Sequence, residues 1–200
     1  MKEAKKALLI IDVQNDFCPG GSLAVTDGDR VVEPLNNMIK LARENGWLVI
    51  ASRDWHPKDT AHFKEFGGIW PAHCIEGTGG AKFKHGLLFP EKTVIINKGT
   101  SKKDDGYSPF EGTDTILDLP LAQILNIKGI TDIFIGGLAT DYCVKAGVLD
   151  ALKNGYGVYL LEDAIKAVNL KPDDGANAIA EMQNAGAIIT TTTEVINEKR

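Results

Sequence analysis

The 200-residue chain is poor in cysteine, and its cysteines are odd in number. Cys18, Cys74 and Cys143 leave one thiol over in any disulfide pairing. That count fits reduced thiols better than the disulfide framework of a small secreted protein. We therefore expect a cytoplasmic protein with free cysteines.

Long apolar runs and basic stripes are also missing. No stretch approaches the roughly 20 apolar residues of a membrane helix, so no membrane partner is expected. The formal net charge is −5, and Lys102 and Lys103 are followed at once by Asp104 and Asp105. Without a lysine or arginine stripe backed by aromatic side chains, a nucleic-acid partner is disfavoured. No repeat is visible, and the length predicts a single domain over residues 1–200.

The chain does have short apolar runs that alternate with helical patterns. The apolar runs, which predict strands, are residues 7–11, 47–51, 93–98, 131–135, 157–161 and 187–190. Apolar residues at helical spacing lie in 31–42, 116–127, 144–152 and 175–183, and Pro120 marks where the second helix must start or kink. This order predicts a three-layer α/β/α fold with a central, mostly parallel sheet.

Polar groups follow four of the predicted strands. Asp12, Asp54 and Lys98 each come at the end of an apolar run, and the glycine pair 136–137 follows another. In open parallel sheets, ligands gather at the carboxyl ends of the strands. The sequence therefore predicts one active site at this edge of the sheet.

Cys143 lies near the start of a predicted helix. Thr140 or Asp141 is the natural N-cap, which places Cys143 in the first turn. There the unpaired N–H groups and the helix dipole favour a thiolate over a thiol. A lone cysteine on a helix is nevertheless more often a small core residue.

The glycine pair 136–137 favours the reactive alternative. A turn at these glycines would let a ligand approach the backbone closely. The N–H groups of Ala139 and Cys143 could then hold one oxyanion.

If Asp12 and Lys98 meet Cys143, acyl transfer becomes feasible. Asp12 can accept the thiol proton, while the Lys98 ammonium keeps Asp12 ionised and attracts the thiolate. The predicted reaction is attack of sulfur on a carbonyl, departure of an amine and hydrolysis of the thioester.

A second set of residues suits a metal ion. Asp54 and His56 project to the same side of an extended chain, and His62 and His73 follow in a loop region rich in proline, glycine and tryptophan. Imidazoles with one carboxylate suit Zn²⁺, Fe²⁺ or Mn²⁺. Each histidine alone would more often be a surface or capping residue, and we assign His85, which lies among lysines, to that interpretation.

Five blocks in chain order resemble the nicotinamidase family of isochorismatase-like cysteine hydrolases. They are residues 12–17, 54–56 with His62, 70–74, 98–99 and 137–144. The resemblance implies hydrolysis of nicotinamide to nicotinate and ammonia in NAD salvage, with pyrazinamide as a further substrate. It also implies that Asp12, Lys98 and Cys143 form the catalytic triad.

The resemblance further implies one divalent metal ion, with zinc ahead of iron and manganese, that receives the pyridine nitrogen of the substrate. Its implied ligands are Asp54, His56 and His73. His62 is less secure, because family members differ in their fourth protein ligand.

A ring pocket and a cis peptide bond between Leu138 and Ala139 are also implied by the resemblance. The implied pocket residues are Phe17, Leu23, Trp70, Tyr107 and Ala139.

Two other functions stay open. The chain could be a related cysteine hydrolase that acts on an N-carbamoyl or ureido compound, although such relatives generally lack the set formed by Asp54, His56 and His73. It could also be a metal-binding or redox-responsive module in which Cys143 senses oxidants, but that alternative leaves the placement of Lys98 and Asp12 unexplained. The oligomeric state is open, a homo-oligomer included.

Overall fold

The computed structural model describes residues 4–198. Residues 1–3, 199 and 200, which the predicted domain includes, lie outside this range.

Seven strands of the described residues form one sheet in the order β4-β3-β2-β1-β5-β6-β7. They are β1 (Lys6–Ile11), β2 (Leu48–Asp54), β3 (Val94–Lys98), β4 (Thr113–Asp114), β5 (Asp132–Leu138), β6 (Gly157–Lys166) and β7 (Ile188–Thr190). All neighbouring strands pair in parallel except β4, a short edge strand antiparallel to β3. The predicted fold class is therefore confirmed, while the two-residue β4 has no apolar run that could have predicted it.

Helices cover both faces of the sheet. They are α1 (Val32–Glu44), α2 (Leu121–Lys128), α3 (Lys145–Lys153), α4 (Asp174–Asn184) and α5 (Thr192–Asn197). On one face α1 and α5 pack against Leu8 and Ile10 of β1, and on the other α2, α3 and α4 pack against Leu9 and Ile11. Because β1 is buried on both faces, its sequence is apolar without alternation. None of the described helices has both the length and the apolar character that a membrane crossing requires.

Two local predictions are wrong. Residues 116–127 were predicted to be helical, but α2 begins only after Pro120, and Ile116 and Leu117 are 84% and 68% exposed in the preceding turn. Proline has no N–H to donate to a preceding turn, so it starts the helix rather than kinking it.

The second error concerns Gly136 and Gly137, which continue β5 instead of forming a turn. A Cβ on Gly137, whose φ is +128°, would lie 2.0 Å from the Ile11 carbonyl oxygen. Glycine is therefore required here for the close pairing of β5 with β1. The chain turns only after Leu138, and the Leu138–Ala139 peptide bond is cis, as the resemblance implies.

Candidate active site

Charged side chains at the ends of three strands lie close together. Asp12 follows β1 directly, Asp54 ends β2 and Lys98 ends β3, and Asp54 pairs in register with Lys98. All three are buried, with at most 3% of their surface exposed. Asp54 and Lys98 are 42 and 86 positions from Asp12 in the chain. Strand pairing brings them close to Asp12, because neighbouring parallel strands end at the same edge of the sheet.

The Lys98 ammonium lies at the centre of this group. Its Nζ is 2.8 Å from Asp12 Oδ2 and 3.4 Å from Cys143 Sγ, and it also donates to Asp54 Oδ1 and the Gly106 carbonyl. Burial alone would lower the pKa of Lys98, but the two carboxylates raise it well above its usual range. Lys98 is therefore a permanent cation between two carboxylates and a sulfur.

Asp12 and Cys143 are both shifted toward their protonated forms. Burial raises the pKa of Asp12 to about 6, against the opposing effects of Lys98 and of Ser52, whose Oγ donates to Asp12 Oδ1 at 2.7 Å. Burial also raises the pKa of Cys143 well above its usual range, although Lys98 opposes the shift. The resting site thus holds a thiol beside a carboxylate that can take its proton at neutral pH.

The expectation of a resting thiolate at Cys143 is therefore wrong. The helical segment begins as a π-helical turn, Thr140–Val144, with Ala139 as its N-cap, and α3 follows it. Cys143 is only 7% exposed there, so desolvation of the anion outweighs the favourable helix end and the ammonium.

Ala139 orders the turn that carries the nucleophile candidate. Its carbonyl accepts hydrogen bonds from the N–H groups of Tyr142 and Val144, each at 3.1 Å. Ala139 and Cys143 line the same pocket. Their predicted role as oxyanion donors stays a prediction.

His56, His62 and His73 form one buried cluster whose ligand atoms lie within 4.8 Å of one another. In each ring Nδ1 faces an oxygen: the Gly99 carbonyl at 3.0 Å, an Asp105 carboxylate at 2.9 Å and the Pro71 carbonyl at 2.8 Å, respectively. Such bonds fix the Nδ1–H tautomer and leave Nε2 as a lone-pair donor.

The cluster suits a divalent cation. His56 Nε2 is buried and has no hydrogen-bond partner among the described residues, and it lies 3.5 Å from Asp54 Oδ2. Burial lowers the pKa of His73 to about 4, so this imidazole is neutral. Imidazoles and a carboxylate, with one buried nitrogen that lacks a partner among the described residues, form a donor set of the kind that binds Zn²⁺. His85 is exposed and outside the cluster.

A pocket of about 410 Å³, counting its opening, joins the thiol to the histidine cluster. The five residues implied for the ring pocket all line it: Phe17, Leu23, Trp70, Tyr107 and Ala139. The indole N–H of Trp70 donates to the Tyr107 hydroxyl at 2.9 Å, which fixes both rings. The wall is mostly apolar and aromatic with a few polar side chains, as in pockets that bind small molecules.

Sequence reasoning missed other residues of the pocket wall, namely Val25, Asp105, Tyr142 and Val168. The ring of Tyr142 meets that of Trp70 edge to face, with 5.0 Å between centroids. Val25 and Val168 come from distant loops, and no motif in the sequence marks them.

Gln14 and Asp141 were also missed as supporting residues. Gln14 is fully buried and bonds both the N–H and the carbonyl of Asp54, each at 2.8 Å. The Asp141 carboxylate accepts the N–H groups of Val168 and Asn169, both at 2.9 Å. A polar residue two positions beyond Asp12 and a carboxylate two positions before Cys143 were the available signals.

These features define a class: an α/β protein with a buried cysteine, aspartate and lysine beside a metal-type histidine cluster. Residues 6–194 match the family model described as Isochorismatase domain, and the chain belongs to this family.

Known proteins similar to this chain carry related names. A curated nicotinamidase of Escherichia coli K12 is 39% identical, and the alignment covers 93% of this chain and 94% of the relative. The crystal structure of a pyrazinamidase of Pyrococcus horikoshii in complex with zinc is 44% identical with a TM-score of 0.86, covering 94% of this chain and 99% of the other. A structure from L. infantum in complex with nicotinate is 33% identical with a TM-score of 0.81, covering 95% and 94%.

Proposed function

We propose that the chain hydrolyses nicotinamide to nicotinate and ammonia, as a step of NAD salvage, and that it also accepts pyrazinamide. The observation that carries this proposal is the position of the Cys143 thiol, which lies 3.4 Å from the Lys98 ammonium and on the wall of a pocket that His62 and His73 also line. The names of the E. coli and P. horikoshii relatives and the nicotinate complex support the choice of substrate.

Cys143 is the nucleophile in this mechanism and Asp12 the general base. As Sγ attacks the amide carbonyl carbon, the thiol proton passes to Asp12 and the carbonyl oxygen becomes an oxyanion. Lys98 stabilises the negative charge that develops on sulfur as its proton passes to Asp12. Because the thiol loses its proton only during attack, a high resting pKa of Cys143 is compatible with catalysis.

Collapse of the tetrahedral intermediate breaks the carbon–nitrogen bond. Asp12 returns its proton to the leaving nitrogen, and ammonia departs to leave a thioester on Cys143. Asp12, again an anion, takes a proton from water as the water oxygen attacks the thioester carbon. Collapse of this second intermediate breaks the carbon–sulfur bond and releases the carboxylic acid, and Asp12 returns its proton to sulfur. The thiol and the Asp12 anion are thereby restored, so each cycle consumes one amide and one water.

Two backbone N–H groups complete the proposal. The amides of Ala139 and Cys143 donate to the oxyanion, and loss of one such donor typically slows turnover by about 10²–10³-fold. The pocket rings of Phe17, Trp70 and Tyr107 hold the pyridine ring against the wall.

Asp54, His56 and His73 hold the divalent ion, with His62 as a fourth protein ligand. We propose zinc, in line with the P. horikoshii complex and the nitrogen-rich donor set. When bound, the ion supplies a Lewis acid for the ring nitrogen of the substrate. A ring nitrogen explains why a histidine cluster accompanies the cysteine, which an N-carbamoyl substrate does not.

The test is release of ammonia from nicotinamide by the purified, zinc-loaded chain. Cys143→Ala should abolish turnover by at least about 10³-fold, because no other group on the pocket wall replaces the nucleophile. It should leave zinc content and nicotinamide binding intact. Cys18→Ala is the matched control, because Cys18 is also buried but does not line the pocket.

Turnover that persists in Cys143→Ala would remove Cys143 from the mechanism. No ammonia from nicotinamide, but release from an N-carbamoyl compound, would instead favour the related hydrolase activity.

We also propose a cytoplasmic location and a single domain spanning residues 1–200. All three cysteines are free thiols, which supports a reducing compartment. The family match over residues 6–194 supports one domain.

A further inference from the structure

His62 differs from the other two histidines of the cluster in how its ring is held. The Nδ1 atoms of His56 and His73 face backbone carbonyls, whereas His62 Nδ1 lies 2.9 Å from a side-chain oxygen, Asp105 Oδ1. The His62 side chain is 4% exposed, and that of Asp105 is 66% exposed. A surface carboxylate thus holds a buried ring.

The loop of residues 99–107 brings Asp105 to this position. At its start, the Gly99 carbonyl faces His56 Nδ1, and at its end the Gly106 carbonyl accepts from Lys98. Gly106 packs so closely on Gly99 that an added Cβ would lie 2.4 Å from the Gly99 nitrogen. The two ends of the 99–107 loop therefore pack against each other beside the histidine cluster.

The middle of the same loop makes hydrogen bonds and an ion pair with the segment that precedes His62. The Lys102 carbonyl accepts the Ala61 N–H at 2.8 Å and the Thr60 hydroxyl at 3.4 Å, and the Lys102 ammonium pairs with Asp59. These contacts set Asp105 opposite His62 without help from the Asp105 side chain itself. Removal of that carboxylate should therefore leave the loop in place.

We propose that Asp105 is a positioning residue for the metal site and acts through His62. Its carboxylate accepts the Nδ1–H of His62, which fixes the tautomer and the ring orientation that present Nε2 to the ion. Asp105 is not itself a ligand in this proposal. The inference rests on the proposed function only in that a divalent ion belongs to this site.

The hydrogen bond between Asp105 and His62 sets the expected change in metal affinity. A hydrogen-bond partner of a ligating histidine typically contributes about 10–100-fold to metal affinity. Without Asp105 the His62 ring can adopt the other tautomer, which turns its cluster-facing nitrogen from an electron-pair donor into an N–H group.

The experiment measures zinc affinity of the purified chain by competition with a chromophoric chelator. Asp105→Ala should weaken zinc binding by about 10–100-fold, and Asp105→Asn, whose amide oxygen can still accept the N–H, should recover part of the loss. Glu65→Ala is the control: it removes one exposed carboxylate from the same region and should change affinity less than about twofold. Visible absorption of the cobalt-loaded chain provides a second readout, which Asp105→Ala should shift in the same direction as His62→Ala.

A double-mutant cycle with His62→Ala shows whether Asp105 affects zinc affinity through His62 or independently of it. If Asp105 acts through His62, Asp105→Ala should have no further effect on zinc affinity in the His62→Ala background. A loss of equal size in that background would overturn the proposal, since Asp105 would then act on the ion directly or through charge. Unchanged affinity in Asp105→Ala would overturn it as well. These measurements need no substrate, so a chain that binds zinc as proposed yet releases no ammonia would refute only the proposed function.

Discussion

Asp12 is a buried carboxylate held between an ammonium and a hydroxyl. Lys98 and Ser52 favour its anion, whereas burial and the neighbouring Asp54 disfavour it. The balance leaves a pKa of about 6, which is close to the value that suits a general base at neutral pH. A carboxylate with an unshifted pKa would be fully ionised at neutral pH but would be a weaker acceptor of the thiol proton.

The first prediction concerns the acid limb of the pH profile. In the proposed mechanism Asp12 must be an anion to accept the Cys143 proton, so kcat/KM should rise with pH and level off above the Asp12 pKa of about 6. Ser52→Ala removes a hydrogen bond that stabilises the anion, which raises the Asp12 pKa. The midpoint of the acid limb should therefore move to higher pH, as measured by initial rates of ammonia release across pH.

Ser108→Ala is the control for that shift. Ser108 is also a buried serine, but its hydroxyl accepts the Phe110 N–H and does not contact Asp12. An acid limb that stays in place in Ser52→Ala would assign the titration to another group.

Some residues of the candidate site could be predicted from the sequence, and others could not. Asp12, Asp54 and Lys98 could be predicted because each ends an apolar strand, and parallel pairing then forces them together. The protonation state of Cys143 could not, because it depends on burial by distant segments. The pairing of His62 with Asp105 spans 43 positions through two irregular loops, and no periodicity marks such a contact.

At the scale of elements, the π-helical turn Thr140–Val144 is tied to the segment that follows β6. Asp141 is buried and its two oxygens accept the consecutive N–H groups of Val168 and Asn169. Val168 is on the pocket wall, so one carboxylate couples the cysteine turn to the wall. Asn169 in turn accepts the N–H of Gly175 in α4 at 2.8 Å, which extends the connection.

The second prediction tests this connection with Asp141→Ala. Loss of two hydrogen bonds to a charged group should lower the free energy of unfolding by about 2 kcal/mol or more, measured by urea denaturation. Because Val168 is released from its position, the KM for nicotinamide should also rise, on the order of tenfold, which corresponds to about 1.4 kcal/mol.

Asp163→Ala provides a matched control. The Asp163 carboxylate holds the N–H and the hydroxyl of Thr192 at the start of α5, on the face of the sheet that α1 covers. It should also lower the free energy of unfolding, by less than Asp141→Ala because Asp163 is exposed, and it should leave KM unchanged. An equal KM effect in both variants would show that destabilisation alone, and not the pocket wall, is responsible.

The elements themselves were predictable where the pattern of buried side chains is regular. Both faces of β1 are covered, so its apolar run identified a central strand without ambiguity. Gly136 and Gly137 misled, because glycine serves two purposes: it permits a turn, and it permits two strands to approach closely. Here the pairing of Gly137 with Ile11 shows that the glycine permits close approach of two strands and does not form a turn. That pairing is a tertiary contact, which the local sequence does not reveal.

At the scale of the whole molecule, the metal-type cluster joins segments that are far apart in the chain. Asp54 ends β2, His62 and His73 come from the long loop before β3, and Asp105 comes from the loop after it. That long loop, residues 55–93, contains no described helix or strand beyond one short 3₁₀ turn. An ion held by both the sheet and this loop would act as a cross-link between them.

Zinc binding should therefore stabilise the fold as a whole. At a free zinc concentration of about 100 times Kd, mass action adds about 2.7 kcal/mol to the free energy of unfolding. For a chain of 200 residues, each kcal/mol raises Tm by about 2–4 °C, so calorimetry with zinc and with chelator should differ by roughly 5–10 °C. His56→Ala removes a ligand of the proposed site, whose Nε2 has no partner among the described residues, and the Tm of this variant should no longer respond to zinc. A response as large as that of the unaltered chain would mean that the ion binds somewhere other than this cluster.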